Sequence, residues 1–359
     1  MKSFMIGDLE IKLPIIQGGM GIGVSFSGLA SAVANQGGVG TISAVVPGFL
    51  EVDLYKNYID ANIRALRNQI EIARSKTKGV LAVNIMVALT NFGDMVKTAI
   101  ESKIDAIICG AGLPLNLPTF LTSSSKTKLI PIISTDRAAE LIIKKWKNSY
   151  NYIPDAIILE SPLSGGHQGV KTEDIENSEF SYETQTPKVR AVLDKYGKLY
   201  GKEIPLVVGG GIYTGADIKK VVDLGASGVQ IGTRFITTDE CDASIEFKNE
   251  YINCKNKEDI IVIKSPVGMP LRVIKNQFID KVLKGERKPK ACPYKCLHTC
   301  DYQEVSFCIA QALMNAHKGN TKEGILCSGS NGYRNDQIIS VKKLVENIQS
   351  EYDAAENNA

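Results

Sequence analysis

The sequence has no strong excess of charge of either sign. Its 359 residues include 42 Lys and Arg against 39 Asp and Glu, which leaves a formal net charge of +3. Proteins that bind the phosphate backbone of a nucleic acid normally carry a far larger cationic surplus. We therefore expect no nucleic-acid partner for this chain.

Long hydrophobic runs are also missing. No stretch approaches the roughly 18 apolar residues that a membrane span requires, and Lys2 and Asp8 bring charge in too early for the apolar core of a signal peptide. We expect a cytoplasmic protein that does not associate with a membrane. Because 44% of the residues are hydrophobic and 23% are charged, the composition is that of a globular protein with a large core.

What the sequence does contain, between residues 13 and 235, is one repeated pattern. A β-branched apolar run is followed by a Gly-rich or polar turn and then by a segment with helical spacing, which is typical of a βα unit. The apolar runs number eight and cover residues 13–17, 39–43, 80–85, 106–109, 129–133, 156–160, 205–209 and 228–232. Eight units predict an α/β fold of the TIM type, a closed (β/α)8 barrel, with catalytic groups at the C-terminal ends of the strands.

The segments between these runs predict helices over residues 29–35, 63–73, 95–102, 138–146 and 189–200. Thr214 and Asp217 have the spacing of a capping box and predict the start of another helix. The pattern breaks after the eighth run. We expect a barrel over residues 1–239, a small lid or second domain with a group of cysteines over 240–318, and a return to the barrel with a C-terminal helix at 338–348 over 319–359.

Two turns predict a site for a phosphate group. Gly209, Gly210 and Gly211 follow the seventh run, and Gly232 and Thr233 follow the eighth, where barrel enzymes often bind phosphate. Backbone N–H groups of glycine can approach phosphate oxygens because no Cβ intervenes. The alternative is that these glycines only make tight turns.

His167 is one of only three histidines and lies in a turn with Gly165 and Gly166, shortly after the sixth run. With an ordinary pKa near 6.5, an imidazole there can act as a base or hold an anion. The alternative is a surface-loop histidine. Asn84, Met20, Gln230 and Glu160 lie near other strand ends, where each side chain can contact a ligand or serve only the local structure.

Several of these motifs together resemble the nitronate monooxygenases, formerly called 2-nitropropane dioxygenases. They are Pro-Ile-Ile-Gln-Gly-Gly-Met at residues 14–20, Asn84, Gly-Gly-His at 165–167, Gly-Gly-Gly-Ile at 209–212, the run at 228–235 and Gly-Ser-Asn at 329–331. The flavin-dependent enoyl-acyl carrier protein reductases are closely related and share the barrel, the Gly-Gly-His turn and FMN.

The resemblance implies that FMN is the cofactor and that His167 is the catalytic residue. It implies FMN contacts at Gly19, Met20, Asn84, Glu160, Gly165, Gly210, Gln230, Ile231, Gly232 and Thr233. We add Gly166, Gly209 and Gly211 from the same turns as candidate cofactor-binding residues. Glu160 departs from the family pattern, in which this position is often Gln, and residues 161–164 replace small and acidic residues.

The resemblance implies oxidation of alkyl nitronates by dioxygen to a carbonyl compound and nitrite, with nitroalkanes as a second candidate substrate class. The alternative is an NAD(P)H-dependent enoyl-thioester reductase, but the run from Ser265 to Pro270 looks more like that of nitronate monooxygenases. A third hypothesis, of a different class, is a non-catalytic barrel that binds a flavin or a phosphorylated metabolite. A homodimer is possible on general grounds.

Eight cysteines include Cys292, Cys296, Cys300 and Cys308 in the predicted lid, with Cys327 further on. The regular spacing of the first three resembles some iron–sulfur arrangements but lacks the paired short spacings of common zinc sites. From the sequence we expect free thiols packed as small apolar groups and no metal.

Overall fold

All eight predicted runs form strands, and these strands pair in parallel around a barrel. The computed structural model describes residues 1–358. Its strands are β1 Phe4–Ile6, β2 Leu9–Ile11, β3 Ile15–Gln17, β4 Gly40–Ser43, β5 Leu81–Met86, β6 Ala106–Gly110, β7 Lys128–Ile133, β8 Ile157–Glu160, β9 Gly166–His167, β10 Leu206–Gly209, β11 Gly228–Ile231, β12 Ile260–Lys264 and β13 Pro270–Ile274. The barrel order is β3-β11-β10-β8-β7-β6-β5-β4. Two backbone hydrogen bonds close the ring between β3 and the start of β4: the Val39 N–H donates to the Ile15 carbonyl and the Gln17 N–H donates to the Val39 carbonyl, both at 2.9 Å. This closure confirms the TIM-type fold.

The helices follow the predicted order and are longer than the sequence indicated in most cases. They are α1 Ser27–Asn35, α2 Tyr58–Lys76, α3 Phe92–Glu101, α4 Asp136–Tyr150, α5 Tyr182–Tyr200, α6 Gly215–Asp223, α7 Thr233–Ile236, α8 Ile245–Asn253, α9 Gln277–Leu283, α10 Ile309–His317 and α11 Val341–Asn357. The capping box of α6 is confirmed, since Thr214 Oγ1 accepts from the Asp217 N–H while the Asp217 carboxylate accepts from the Thr214 N–H.

The barrel interior is filled by alternate residues of its strands. Ile16, Ala82, Ile108, Ile158 and Val207 belong to one buried cluster, while their neighbours along each strand pack outward against the helices. The period of two follows from the pleat of a strand. An N-terminal hairpin of β1 and β2, which the sequence pattern did not predict, adds Ile6 and Ile11 to this inner cluster.

The C-terminal helix returns to the barrel. It begins at Val341 rather than at residue 338 and continues to Asn357, and it packs so closely on α6 that a Cβ at Gly215 would lie 2.1 Å from the Tyr352 nitrogen. The predicted boundaries between barrel, lid and C-terminal segment, after residues 239 and 318, stay a prediction. The last residue of the predicted C-terminal segment, Ala359, lies outside the described residues.

A small antiparallel sheet covers one side of the strand ends. β12 pairs with β13, and β13 pairs in turn with β9, so that Leu271 lies opposite His167. The segment after the eighth barrel strand thus folds back on the Gly-Gly-His turn. No helix within residues 1–358 combines the length and apolar character needed to cross a bilayer.

Candidate active site

A large cavity lies at the C-terminal ends of the barrel strands. Together with the solvent space at its opening, it spans about 1510 Å³. Every residue that the sequence singled out as catalytic or cofactor-binding lines it, with the exception of Gly209. Gly209 lies in register with Glu160 and Gln230, and the Gln230 side chain lies against it, with its Cβ 3.2 Å from where a Cβ of Gly209 would be.

The floor of the cavity is the outermost inward-facing layer of the barrel. Because side chains alternate along a strand, the residues two positions beyond Ile16, Ala82, Ile108, Ile130, Ile158 and Gly228 also point inward. These are Gly18, Asn84, Gly110, Ile132, Glu160 and Gln230, and all six line the cavity. We call these six residues the barrel mouth.

Gly19 sits directly against this floor. A Cβ at Gly19 would lie 2.3 Å from the Asn84 Cβ, so no side chain fits there. Met20 follows, and its N–H donates to Ser25 Oγ at 2.9 Å, which holds the turn above β3. The turn thereby presents bare backbone and one thioether to the cavity.

The glycine turn after β10 needs glycine for two reasons. Gly210 and Gly211 have φ of +93° and +80°, a region that L side chains rarely adopt. A Cβ at Gly210 would also lie 2.8 Å from the Ser161 carbonyl oxygen and 2.9 Å from the Ser164 nitrogen. The turn therefore packs directly against the segment that leads to His167.

The neighbouring turn after β11 completes this end of the cavity. Within residues 1–358, the backbone N–H groups of Gly210, Gly211, Gly232 and Thr233 donate to no protein acceptor. Thr233 Oγ1 accepts from the Gly329 N–H at 2.9 Å, which brings the Gly-Ser-Asn segment alongside. Four unused N–H donors in two adjacent turns are groups that can bind an anion, and we call these four residues the anion cradle.

Little side-chain charge faces this cradle. Arg234 lines the cavity, but its guanidinium binds both carboxylate oxygens of Glu351, at 2.8 and 3.0 Å. An anion at this end would therefore be held mainly by backbone N–H groups rather than by an unpaired cation.

His167 lines the same cavity. Its Nε2 lies 2.8 Å from Ser265 Oγ, and the same Oγ accepts from the Val267 N–H at 3.1 Å. Burial lowers the pKa of His167 to about 4, because a buried site disfavours the charged imidazole. The ring is therefore neutral at pH 7, and its Nδ1 makes no hydrogen bond within residues 1–358.

Two floor residues have polar groups in an unfavourable environment. Burial raises the pKa of Glu160 to about 7, so that the carboxyl group is protonated in a large fraction of molecules at neutral pH. Gln230 Oε1 is buried without a hydrogen-bond partner among the described residues. Such groups are costly unless a ligand satisfies them.

Sequence reasoning missed two residues that hold His167 in place. Ser265 is distant in sequence and reaches His167 only because β12 and β13 fold over the strand ends. Gln168 is buried, and its Nε2 donates to the carbonyl oxygens of Ser164 at 2.8 Å and Gly166 at 3.0 Å. Its position directly after the Gly-Gly-His turn was the one available signal. The apolar side of the cavity, which includes Phe247, Ile309 and Leu313, was not predicted either.

Solved structures show the same architecture. FabK from Thermotoga maritima superposes with a TM-score of 0.74, at 26% identity over 97% of this chain and 95% of that one. A nitroalkane oxidase from Streptomyces ansochromogenes superposes with a TM-score of 0.71 at 21% identity, over 97% and 98% of the two chains, and shows the fold alone.

Sequence relatives cover most of the chain. A probable nitronate monooxygenase of Staphylococcus saprophyticus is 27% identical over 97% of both chains, and one of Staphylococcus aureus strain Newman is 28% identical over 77% of this chain and 79% of the relative. The family model described as nitronate monooxygenase matches residues 2–351. The chain therefore belongs to the nitronate monooxygenase family of flavin-dependent oxidoreductases.

Proposed function

We propose that this protein binds FMN and oxidises alkyl nitronates with dioxygen to a carbonyl compound and nitrite. The observation that carries the proposal is a neutral imidazole, His167, which lies 2.8 Å from Ser265 Oγ and lines the same cavity as the anion cradle. The family match supports the reaction class.

The described residues fit FMN in three respects. The cradle of Gly210, Gly211, Gly232 and Thr233 offers N–H donors suited to a phosphate. The unpartnered Gln230 Oε1 can accept a hydrogen bond from the cofactor. Gly19 leaves bare backbone beside Asn84, where a flat ring can approach.

Glu160 can do the work of the Gln that the family often has at this position. Because its pKa is raised to about 7, it keeps its proton in part of the population at neutral pH. A protonated carboxyl group both donates and accepts hydrogen bonds, as an amide does. The departure from the family pattern is thus compatible with the same cofactor.

The chemistry that FMN would supply here is electron transfer between the substrate and dioxygen. His167 acts on protons. For a neutral nitroalkane, the α-carbon proton passes to the imidazole and leaves a nitronate anion, and the imidazolium then returns the proton to solvent. In the tautomer that serves as the base, Nε2 carries the proton and donates to Ser265 Oγ, so that Nδ1 has a free lone pair.

A nitronate needs no such step because it is already an anion. Beside His167 it would raise the pKa of the imidazole, since a nearby opposite charge favours the protonated form. His167 would then hold the nitro group as a hydrogen-bond donor. One residue can therefore serve as a base for one substrate form and as an anion clamp for the other.

Reduction of an enoyl thioester is the second candidate function. The 26% identity to FabK over nearly the full chain supports it, as does the apolar side of the cavity, where an acyl chain could lie. One sequence feature speaks against it: the run from Ser265 to Pro270 looks more like the corresponding run of nitronate monooxygenases.

One pair of assays separates the two functions. The purified yellow protein is given ethyl nitronate while oxygen uptake and nitrite are measured, and separately crotonyl-CoA while NADH and NADPH consumption is measured. We expect oxygen uptake with nitrite release in the first assay and no reduction in the second. The reverse result would assign the protein to the enoyl-thioester reductases.

A further inference from the structure

Residues 284–308, here called the cysteine loop, form a long segment with little regular structure. Apart from one bridge between Leu89 and Leu297 it contains no strand or helix, yet Tyr294 and Phe307 within it are buried. Loops beyond about 12–15 residues without secondary structure are uncommon in compact domains and are often functional. Four of the eight cysteines lie in this loop.

The fold brings these four cysteines together. Cys292, Cys296, Cys300 and Cys308 all line one small cleft. Cys296 is buried, and the other three are partly buried around it. The four thiols thus face one small space, although they are up to 16 residues apart in the sequence.

A backbone N–H group points at one of the sulfur atoms. Cys292 Sγ accepts from the Lys295 N–H at 3.3 Å, and Lys295 itself has a left-handed φ of +46°. Cys308 is the N-cap residue of α10. Hydrogen bonds of this kind stabilise thiolates and set the potentials of iron–sulfur clusters.

The loop as a whole also carries more positive than negative charge. Residues 284–308 contain Lys284, Arg287, Lys288, Lys290 and Lys295 against the acids Glu286, Asp301 and Glu304. Arg287 pairs with Glu323 on another element. The surplus of cations would offset the negative charge of four thiolates.

We propose that Cys292, Cys296, Cys300 and Cys308 bind an iron–sulfur cluster of the [4Fe–4S] class. Within residues 1–358 no three His, Cys, Asp or Glu side chains converge on a point that would suit one metal ion. A four-iron cluster does not need such a point, because each thiolate binds a different iron atom. Spacing alone favoured free thiols, and the spatial grouping is what changes that expectation.

The site lies next to the active-site cavity. Ile309 lines both the cysteine cleft and the cavity at the barrel mouth, so one side chain separates the two. The loop backbone is tied to the same side of the barrel by bonds from Thr90 N–H to the Cys296 carbonyl, 3.1 Å, and from His298 N–H to the Ala88 carbonyl, 3.0 Å. The proposal does not depend on the substrate of the flavin site.

The test is to purify the full chain without oxygen, reconstitute it with ferrous iron and sulfide, and measure metal, acid-labile sulfide and the electron paramagnetic resonance spectrum after dithionite. We expect roughly four irons and four sulfides per chain and a signal from the reduced cluster. Cys300→Ser and Cys292→Ser, both at partly exposed positions, should lose most of the iron and the signal.

Cys254→Ser is the matched control, since Cys254 is a buried free cysteine outside the loop, and it should keep both. Flavin content and circular dichroism show whether each variant is folded. Stoichiometric zinc without iron, a disulfide within the loop, or iron content unchanged in the folded Cys300→Ser protein would overturn the proposal.

Discussion

The barrel mouth and the cysteine loop each gather polar side chains, but they hold them by different means. At the mouth, Asn84, Glu160 and Gln230 lie on parallel strands whose backbone bonds fix their positions. The cysteine loop has almost no backbone ladder of its own. The difference teaches that strand pairing fixes the side chains of the mouth, whereas the cysteine loop is held by buried side chains such as Tyr294 and Phe307 and by a few hydrogen bonds to the barrel.

Replacing His167 with Asn is expected to have the largest effect at the mouth. The variant loses the base for a neutral nitroalkane, and general-base catalysis typically contributes on the order of 100- to 10,000-fold. We expect kcat/KM for nitroethane to fall by that order, while kcat/KM for ethyl nitronate falls much less. Steady-state oxygen uptake on the two substrates measures the ratio.

The iron content serves as the internal control for this variant, because His167 is not part of the cysteine loop and iron binding should be unchanged. Equal losses on nitroethane and ethyl nitronate would refute the base role.

In the wild-type enzyme the nitroethane rate should decline only as pH falls toward about 4, where the imidazole becomes protonated.

A methyl group at Gly210 is expected to damage the anion cradle. Gly210→Ala places a Cβ 2.6 Å from Ser161 Oγ at a φ of +93°, and strain of this kind costs of order 1–3 kcal/mol. We expect the affinity for FMN to fall about 10- to 100-fold in fluorescence titration of the apoprotein.

Gly201→Ala is the matched control, since Gly201 also has positive φ, +65°, but a Cβ there meets nothing within 4 Å. It should lose some stability and keep its FMN affinity. If both variants bind FMN as the wild type does, the turn is not the phosphate site.

The architecture could be predicted because strand alternation is local. The β-branched runs and the inward layer that ends in Asn84, Glu160 and Gln230 can be identified from residues two positions apart. The capping box of α6 has the same advantage, because its two partners are three residues apart.

The contacts that could not be predicted join distant parts of the chain. Ser265 hydrogen-bonds to His167 although the two residues are 98 positions apart in the sequence. The pairing of β13 with β9 produces no repeating pattern of residues that would predict it. The hairpin of β1 and β2 has only three residues in each strand, too few for a clear alternation. The four cysteines are regularly spaced in part, but spacing cannot show that Cys308 returns to the other three.

Glu160→Gln should change how stability depends on pH. Glu160 has a folded-state pKa of about 7 against an ordinary value of 4.5, so the folded protein binds more protons in this range and loses stability as pH rises from about 4.5 through 7. Gln does not titrate and avoids that loss. Each pKa unit is worth about 1.4 kcal/mol, and we expect the variant to gain on the order of 1–3 kcal/mol relative to wild type between pH 5 and pH 8.

Urea unfolding of the two apoproteins at both pH values measures this gain. The lowered pKa of His167 acts in the opposite sense, since it removes stability as pH falls from about 6.5 to 4. That contribution is common to both proteins and cancels in their difference. A difference that is the same at pH 5 and pH 8 would show that Glu160 is ionised throughout.

Removing the Ser265 hydroxyl is expected to give the smallest effect, because Ser265 positions His167 and does not touch the substrate itself. Loss of one such hydrogen bond costs about 1 kcal/mol, so Ser265→Ala should lower kcat/KM for nitroethane roughly fivefold and leave ethyl nitronate nearly unaffected. The matched control is Thr299→Val, which removes another hydroxyl that binds the same turn, at the Val267 carbonyl, 3.1 Å away. If both variants lose the same activity, the effect comes from loosening the lid turn, and the Ser265 hydroxyl has no separate role in fixing the tautomer of His167.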